Sequence, residues 1–459
     1  MKREHIWVHH EQDALAYWKL TEGGYPSRMS VKQGESIDLH VSNCRSYYEI
    51  RVYREGTCRE HVATISDLRG ALHPVPENGY QVGFQWPPVA SLRIPETWRS
   101  GVYIAEFPTG QGPREILFVV RPAEPRSPLL LTLATNTYAA YNNVGGKCIY
   151  DYISTDRQRT DVVSFLRPLQ PGVLGNFHMW DQFFISWLDA EGYDVDYGIN
   201  ADLDAEPDLL DAYRANLRIG HDEYNSRNEC LQLQQFVRNG GNLMLFAGNC
   251  IYHEIEYRDD FRQMRCYKPR YHTPPTPKRP ETQMWPFIDC MRQKTIGLMY
   301  TSFVHAKTDT PGVFVAPVTD DGPYGFFRVT DSDHWIYAGT GLKDGDEFGR
   351  EDSIVGVEAD AADIEFIDGK PHFTGADGVS RQYKILALAD AMVQNDQFLH
   401  LDGSGKGETV DAYGVVSINE TEFAGTVFNA ATIEWGHGLY RDPSPVAVIT
   451  RNVLDRLAR

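Results

Sequence analysis

Positive charge is in short supply. The 459-residue chain carries 44 Lys and Arg against 63 Asp and Glu, a formal net charge of −19 at pH 7. Nowhere do Lys and Arg gather into a cluster, whereas a nucleic-acid binder needs a basic footprint facing the phosphates. Nucleic acid is therefore excluded as a partner, and an acidic surface suits solubility and a neutral or cationic small substrate. Long apolar runs are missing as well. None approaches the roughly 20 residues that span a bilayer, so no membrane partner is expected. The N-terminal "MKREHIWVHHEQD" lacks the apolar core of a secretory signal. The seven cysteines (Cys44, Cys58, Cys148, Cys230, Cys250, Cys266 and Cys290) are odd in number and include no CxxC pair. That pattern speaks against a disulfide framework and for reduced thiols in a cytoplasm. Also lacking are GxSxG, HExxH, GxGxxG and a Walker loop, which removes the nucleophile elbow, the zincin helix and the commonest phosphate cradles.

What is present has an order. In the first part "SIDLHVS" alternates Ile37, Leu39 and Val41, "YYEIRVYREG" alternates Tyr48, Ile50 and Val52, and "SGVYIAEF" and "REILFVVRP" flank the turn "PTGQGP". Short strands with turn signals and no helical period predict a small, immunoglobulin-like β-sandwich. The three prolines of "RPAEPRSP" (121–128) mark a linker, dividing a sandwich domain at 1–124 from a second domain at 125–459. There the pattern changes to continuous apolar runs, "LLLTLATN" and "NLMLFAGN", alternating with the helical stretches "DQFFISWLDAEG" and "SRNECLQLQQFVRNGG". The expectation is an α/β domain built on a mostly parallel, doubly wound sheet. "HWIYAGTG", "IVGVEAD", "YGVVSI" and "GTVFNAAT" are expected as further strands, with a Pro-rich surface excursion near 268–286.

Ligands of open α/β sheets bind beyond the carboxyl ends of the strands. Three such ends carry costly residues: "ATNTYAAYNN", "GHDEYN" and "GNCIYHE". Their supply is Tyr, Glu, His and Asn. Phenolate and carboxylate are hard oxygen donors, which suit a highly charged ion such as ferric iron better than zinc. Such an ion can polarise an amide carbonyl and acidify water. Taken singly, these residues have plainer uses: Tyr141 as a rim residue, His221 and Glu223 as a structural hydrogen-bonded pair, Cys250 as a small buried side chain. Trp180, Phe183 and Phe184 fit either an apolar pocket wall or the core.

The stretches "SGVY", "TNTYAAYNN", "WLDAEGYDVDYGINADL", "GHDEYNS", "NGGNLMLFAGN" and "IVGVEAD" occur in an order that resembles the large, catalytic chain of the N,N-dimethylformamidase family, over most of residues 98–360. The resemblance implies a mononuclear, ferric iron and hydrolysis of the C–N bond of a small N-substituted amide such as a formamide. It implies that Tyr103, Tyr141 and Glu223 ligate the iron, and that His221 orients Glu223 or the attacking water. It places Asn249 near the substrate as a hydrogen-bond donor, and Glu358 there as the general acid–base group. Tyr224 then becomes a packing residue. Relatives assemble and work with a small partner subunit, so a homo-oligomer is expected, and no residue here indicates the small partner. If Tyr103 is a ligand, the sandwich has to reach the active end of the sheet. Two rivals use other chemistry: an amidase with Cys250 as nucleophile and His221 or His253 as base, and a non-catalytic protein that binds a small molecule in an acidic cleft.

Overall fold

The computed structural model describes residues 21–170, 177–251, 253–266, 303–306, 325–355, 359–362, 364–375, 379–394, 409–440 and 443–459. The chain divides into two compact units, residues 1–206 with 255–266 and residues 207–254 with 267–459.

The first unit opens with eight short strands in two sheets. Strands β1 (Gly23–Pro26), β3 (Ser36–Ser42) and β6 (Pro88–Arg93) form one sheet in the order β1-β3-β6. Strands β2 (Ser30–Lys32), β4 (Tyr47–Arg54), β5 (Glu60–Arg69), β7 (Gly101–Thr109) and β8 (Gly112–Arg121) form the other, in the order β2-β8-β7-β4-β5. The period-2 pattern drives this arrangement. Ile37, Leu39 and Val41 of β3 meet Ile50 and Val52 of β4, Tyr103, Ala105 and Phe107 of β7, and Ile116, Phe118 and Val120 of β8 in one apolar core. Two sheets sharing a core make a sandwich. The hairpin from β7 to β8 closes on Gly110 and Gln111, since Thr109 pairs with Gly112.

The other face of β7 is buried too, at Val102 and Ile104. The rest of the unit covers it. Strand β9 (Leu129–Leu133) pairs in parallel with the strand Asp196–Ile199, and the Ser100 hydroxyl accepts a hydrogen bond from the Tyr197 N–H at 2.8 Å. The helix Gln182–Ala190 buries Phe184, Ile185, Trp187 and Leu188. Its Ser186 hydroxyl donates to the Gly56 carbonyl at 2.7 Å, and Asp189 pairs with Arg54 at 3.1 Å.

The second unit begins as expected for a parallel sheet. The strand Ala215–Gly220 pairs in parallel with Asn242–Ala247 across the helix Arg227–Arg238, and Asn242–Ala247 pairs in parallel with Val427–Asn429. There the parallel order stops. Val427–Asn429 is antiparallel to Thr409–Asn419, which is antiparallel to Lys384–Gln394 over the long register from Lys384↔Ile418 to Gln394↔Thr409. The expectation of a mostly parallel, doubly wound α/β fold is therefore overturned: the protein is mostly β, 38% strand against 21% helix, with mixed and antiparallel sheets.

The reason is connectivity. A parallel neighbour needs a crossover of a dozen residues or more, usually a helix, while antiparallel neighbours can follow one another directly. Period-2 runs such as "YGVVSI" carry no sign of strand direction, so the β-α-β rhythm of the middle of the chain does not extend to them. "HWIYAGTG" is not a strand either. It holds a 3-10 turn, Trp335–Tyr337, whose Trp335 indole N–H donates to Glu420 at 2.8 Å and whose Tyr337 hydroxyl donates to the Leu386 carbonyl at 2.7 Å. The chain closes on the helix Pro445–Leu457, with the Ser444 hydroxyl as N-cap and Pro445 in its first turn. The Pro-rich excursion near 268–286 lies outside the described residues. Among the described residues, no helix is long and apolar enough to cross a membrane.

Two glycines show how tightly the second unit is built. Just past the helix Arg227–Arg238 and its C-cap Asn239, Gly240 has a φ of +104°, which suits glycine. A Cβ on Gly425 would lie 1.8 Å from the Gly241 carbonyl oxygen, so two backbones touch where the chain enters the Asn242–Ala247 strand. Gly425→Ala is expected to cost about 1–3 kcal/mol through overpacking. A lowered denaturation midpoint checks this, and an unchanged midpoint would contradict the close approach.

Candidate functional site

The strand Ala215–Gly220 is buried along its length. Gly220, with φ +63°, ends it and turns the chain. "HDEY" follows, and the next strand, Tyr224–Ser226, runs into the helix Arg227–Arg238 through a capping box: Ser226 accepts from the Glu229 N–H at 3.1 Å, and Glu229 accepts from the Ser226 N–H at 3.4 Å.

A second loop lies along the first. After the strand Asn242–Ala247, the Gly248 N–H donates to the Gly220 carbonyl at 3.2 Å, Ile251 to Asp222 at 2.7 Å and His253 to Glu223 at 2.8 Å. "GHDEY" and "GNCIYH" are thus stitched together by their backbones. Asn249 has φ +47°, a left-handed conformation that asparagine tolerates. Its N–H donates to Asp360 at 2.8 Å, and Asp360 also accepts from the Asn429 amide at 2.9 Å.

Neighbouring carboxylates in the first loop have opposite partners. Asp222 is bound by Arg218, a fully buried guanidinium that also holds Glu229 at 2.9 Å and donates to Asn216 at 2.9 Å. Burial alone would lower the Arg218 pKa; Asp222 and Glu229 outweigh it and raise it. Glu223 instead lies between two imidazoles, His221 Nε2 at 3.2 Å from one oxygen and His253 Nε2 at 3.3 Å from the other. All three are nearly buried. The other nitrogen of His221 faces the Gly248 carbonyl at 3.4 Å. The His221 ring thus lies between the Glu223 carboxylate and the Gly248 carbonyl. Tyr224, fully buried, stacks on His253 with ring centroids 5.0 Å apart. Cys250 is fully buried.

The two tyrosines implicated by the resemblance belong to the first unit and have unlike surroundings. Tyr103 is fully buried in the sandwich core, its ring stacked between Trp98 (centroids 5.0 Å) and Phe118 (5.7 Å). Its hydroxyl donates to the Arg99 carbonyl at 2.7 Å, and burial raises its pKa. Tyr141 ends the helix Thr135–Tyr141 and is half-buried. Its oxygen accepts a hydrogen bond from the Tyr150 hydroxyl at 2.7 Å. Arg167, fully buried, braces this region by donating to the carbonyls of Ser164, Val144, Lys147 and Ala139. Burial pushes its pKa down to about 10.

These surroundings bear on an iron ligand set. A ligating phenol oxygen or carboxylate is an anion and can only accept hydrogen bonds. Glu223, facing two imidazoles, and Tyr141, accepting from Tyr150, fit that requirement. Tyr103 as it stands does not: its hydroxyl is a donor to a carbonyl, and ligation requires that bond to break. Among the described residues, no group of three or more His, Cys, Asp or Glu side chains is arranged to hold a metal. The set implied by the resemblance draws only Glu223 from those residue types.

Glu358 lies outside the described residues. Trp180 and Phe184 are buried, and Phe184 packs edge-on against Trp187. A cavity of about 620 Å³ in the first unit is lined by Arg121, Thr135, Asp202 and Glu206 among others, and by none of the site residues expected from sequence. Arg121 already pairs there with Asp202 at 2.8 Å and Glu206 at 3.0 Å. Sequence reasoning missed Asp360, which sits inside the quoted "IVGVEAD", and weighed His253 only as a base for Cys250. Arg218 and Tyr150 gave no signal.

A family model described as N,N-dimethylformamidase beta subunit-like, C-terminal, matches residues 49–446. No curated protein matches the chain.

Removing one member of a buried ion cluster leaves uncompensated charge, at a cost of about 3–5 kcal/mol. Arg218→Met is expected to lower unfolding free energy by about that much. Combining it with Asp222→Asn and Glu229→Gln should restore part of the loss in denaturant titrations. Equal stability of the single variant and the wild type would remove Arg218 as the anchor of the loop.

Proposed function

The chain belongs to the N,N-dimethylformamidase beta subunit-like family, and from that premise we propose that it is the catalytic chain of an enzyme that hydrolyses the C–N bond of a small N-substituted amide such as a formamide. The observation that carries the reading is the Glu223 carboxylate gripped by His221 and His253 at the end of a buried strand. The metal in this reading is ferric iron, with Glu223, Tyr141 and Tyr103 as its ligands, Tyr103 on condition that it gives up the Arg99 carbonyl. When bound, such an ion supplies the Lewis acidity that polarises a carbonyl and acidifies water.

The chain's own residues do the rest. Hydrolysis adds water across the carbonyl, breaks the C–N bond and delivers water's two protons to the departing nitrogen, giving a carboxylate and a protonated amine. His221, between a carboxylate and a carbonyl, holds Glu223 in place and can take a proton from the attacking water. Asn249, whose backbone is pinned by Asp360, offers its side-chain amide to the carbonyl oxygen as charge develops there. Glu358 is assigned the transfer of the proton to the amine. His253, stacked on Tyr224, fixes the second oxygen of Glu223 and so sets the orientation of the carboxylate. The reading puts the protein in a reducing cytoplasm, as a homo-oligomer to which a small partner subunit can be added. The described cysteines form no disulfide.

Amine release from N,N-dimethylformamide and a panel of N-alkyl formamides and acetamides, together with iron content, tests the reading. Iron-loaded wild type should turn over at least one formamide. Glu223→Ala should lose both turnover and bound iron. His221→Ala should lose about 10–100-fold in kcat, and Cys250→Ala should remain active. No amine from any amide by iron-loaded protein would overturn the proposal. Loss of activity in Cys250→Ala without loss of iron would favour the cysteine nucleophile.

A further inference from the structure

The phenol pair Tyr141 and Tyr150 has no use in the chemistry above beyond Tyr141 itself. Their hydroxyl oxygens are 2.7 Å apart and their ring centroids 4.2 Å apart. The pairing is built rather than incidental. Ile149 donates its N–H to the Ala140 carbonyl at 3.1 Å, which brings the 148–154 loop back against the end of the Thr135–Tyr141 helix. Cys148 Sγ accepts from the Tyr150 N–H at 3.3 Å, and the Ser154 hydroxyl donates to the Tyr150 carbonyl at 2.5 Å. Cys148 and Ile153 form a small apolar cluster against which both rings pack. Tyr152 meets the Tyr150 ring edge-on at 5.5 Å. The backbone on both sides of Tyr150 is thus fixed, and its hydroxyl is delivered to the Tyr141 oxygen.

We propose that Tyr150 is a positioning residue for the metal site: its hydroxyl donates to the Tyr141 oxygen, orients that phenolate and draws electron density from it. The proposal rests on the reading of Tyr141 as an iron ligand. An anionic oxygen can only accept, so in the loaded protein the proton between the two phenols belongs to Tyr150. Hydrogen bonds to charged acceptors are the shorter and stronger ones, and this one withdraws charge that Tyr141 would otherwise give to the metal. A weaker phenolate donor means a higher-energy charge-transfer band and a more Lewis-acidic centre.

The test is Tyr150→Phe, which keeps the ring and its packing and removes only the donor. Iron-loaded wild type, Tyr150→Phe and Tyr141→Phe are compared by visible absorption, iron stoichiometry and kcat. Expected are a visible band in the wild type, a shift of that band to longer wavelength in Tyr150→Phe with iron retained, and loss or weakening of the band in Tyr141→Phe. The kcat of Tyr150→Phe should fall by about 10-fold, the low end for a residue supporting a ligand, with KM little changed. A residue serving only to pack would leave the band where it is. A wild-type band that Tyr150→Phe does not move overturns the inference and leaves the iron reading intact. A band unaffected by Tyr141→Phe overturns the inference by removing Tyr141 as a ligand. Iron-loaded wild type with no visible band overturns the tyrosinate reading and the inference together.

Discussion

A guanidinium with no water around it sets the geometry of the second unit's loops. Arg218 projects from a buried strand and has to be neutralised where it stands, because an unpaired charge in a dry interior is too costly to keep. It takes Asp222 from the loop that follows and Glu229 from the first turn of the next helix. Those two contacts decide more than charge balance. With Asp222 held by its side chain and its carbonyl accepting from Ile251, the next residue is set in a fixed direction relative to the loop that starts at Gly248. Glu223 is that residue. Glu229, bound to Arg218, also completes the capping box that starts the helix Arg227–Arg238.

The contrast between Asp222 and Glu223 follows from that arrangement. They are adjacent and carry the same charge, yet one is neutralised by a permanent cation and the other faces two imidazoles. A guanidinium cannot give up its proton, so Asp222 is fixed for structure. Glu223 has instead an imidazole nitrogen at 3.2 Å from one oxygen and another at 3.3 Å from the other.

The place of the two loops was legible in the sequence, because residues there violate a local expectation. Strand ends favour Gly, Asn, Asp and Ser, so "GHDEY" stood out, and "GNCIYH" stood out beside it. Their backbone stitching was foreseeable once both were read as ends of neighbouring parallel strands. The overall fold was less legible. Residues 129–247 do alternate strands and helices, but a run such as "YGVVSI" has the same period whether its neighbour is parallel or antiparallel, and direction is settled by the length of the connection. The "HWIYAGTG" stretch failed for another reason: its β-prone composition reflects Trp335 and Tyr337 bonding to Glu420 and to the Leu386 carbonyl, a tertiary demand that overrides propensity. Arg218 and Tyr150 were invisible because nothing in a single sequence distinguishes a buried arginine or a paired phenol from an exposed one.

The two phenols sharpen what a ligand assignment demands. A tyrosine in a core is ordinarily satisfied by donating its hydroxyl proton, and Tyr103 does so to Arg99. Stacked between Trp98 and Phe118, it has every contact a structural tyrosine needs, and burial holds its proton in place. Tyr141 is the reverse case. It ends a helix, is half-buried, and receives a hydrogen bond. Of the two, Tyr141 has a hydroxyl donor at its oxygen, while Tyr103 has a carbonyl acceptor at its own. Were Tyr103 to bind a cation, that cation would have to be strong enough to strip a phenol of its proton.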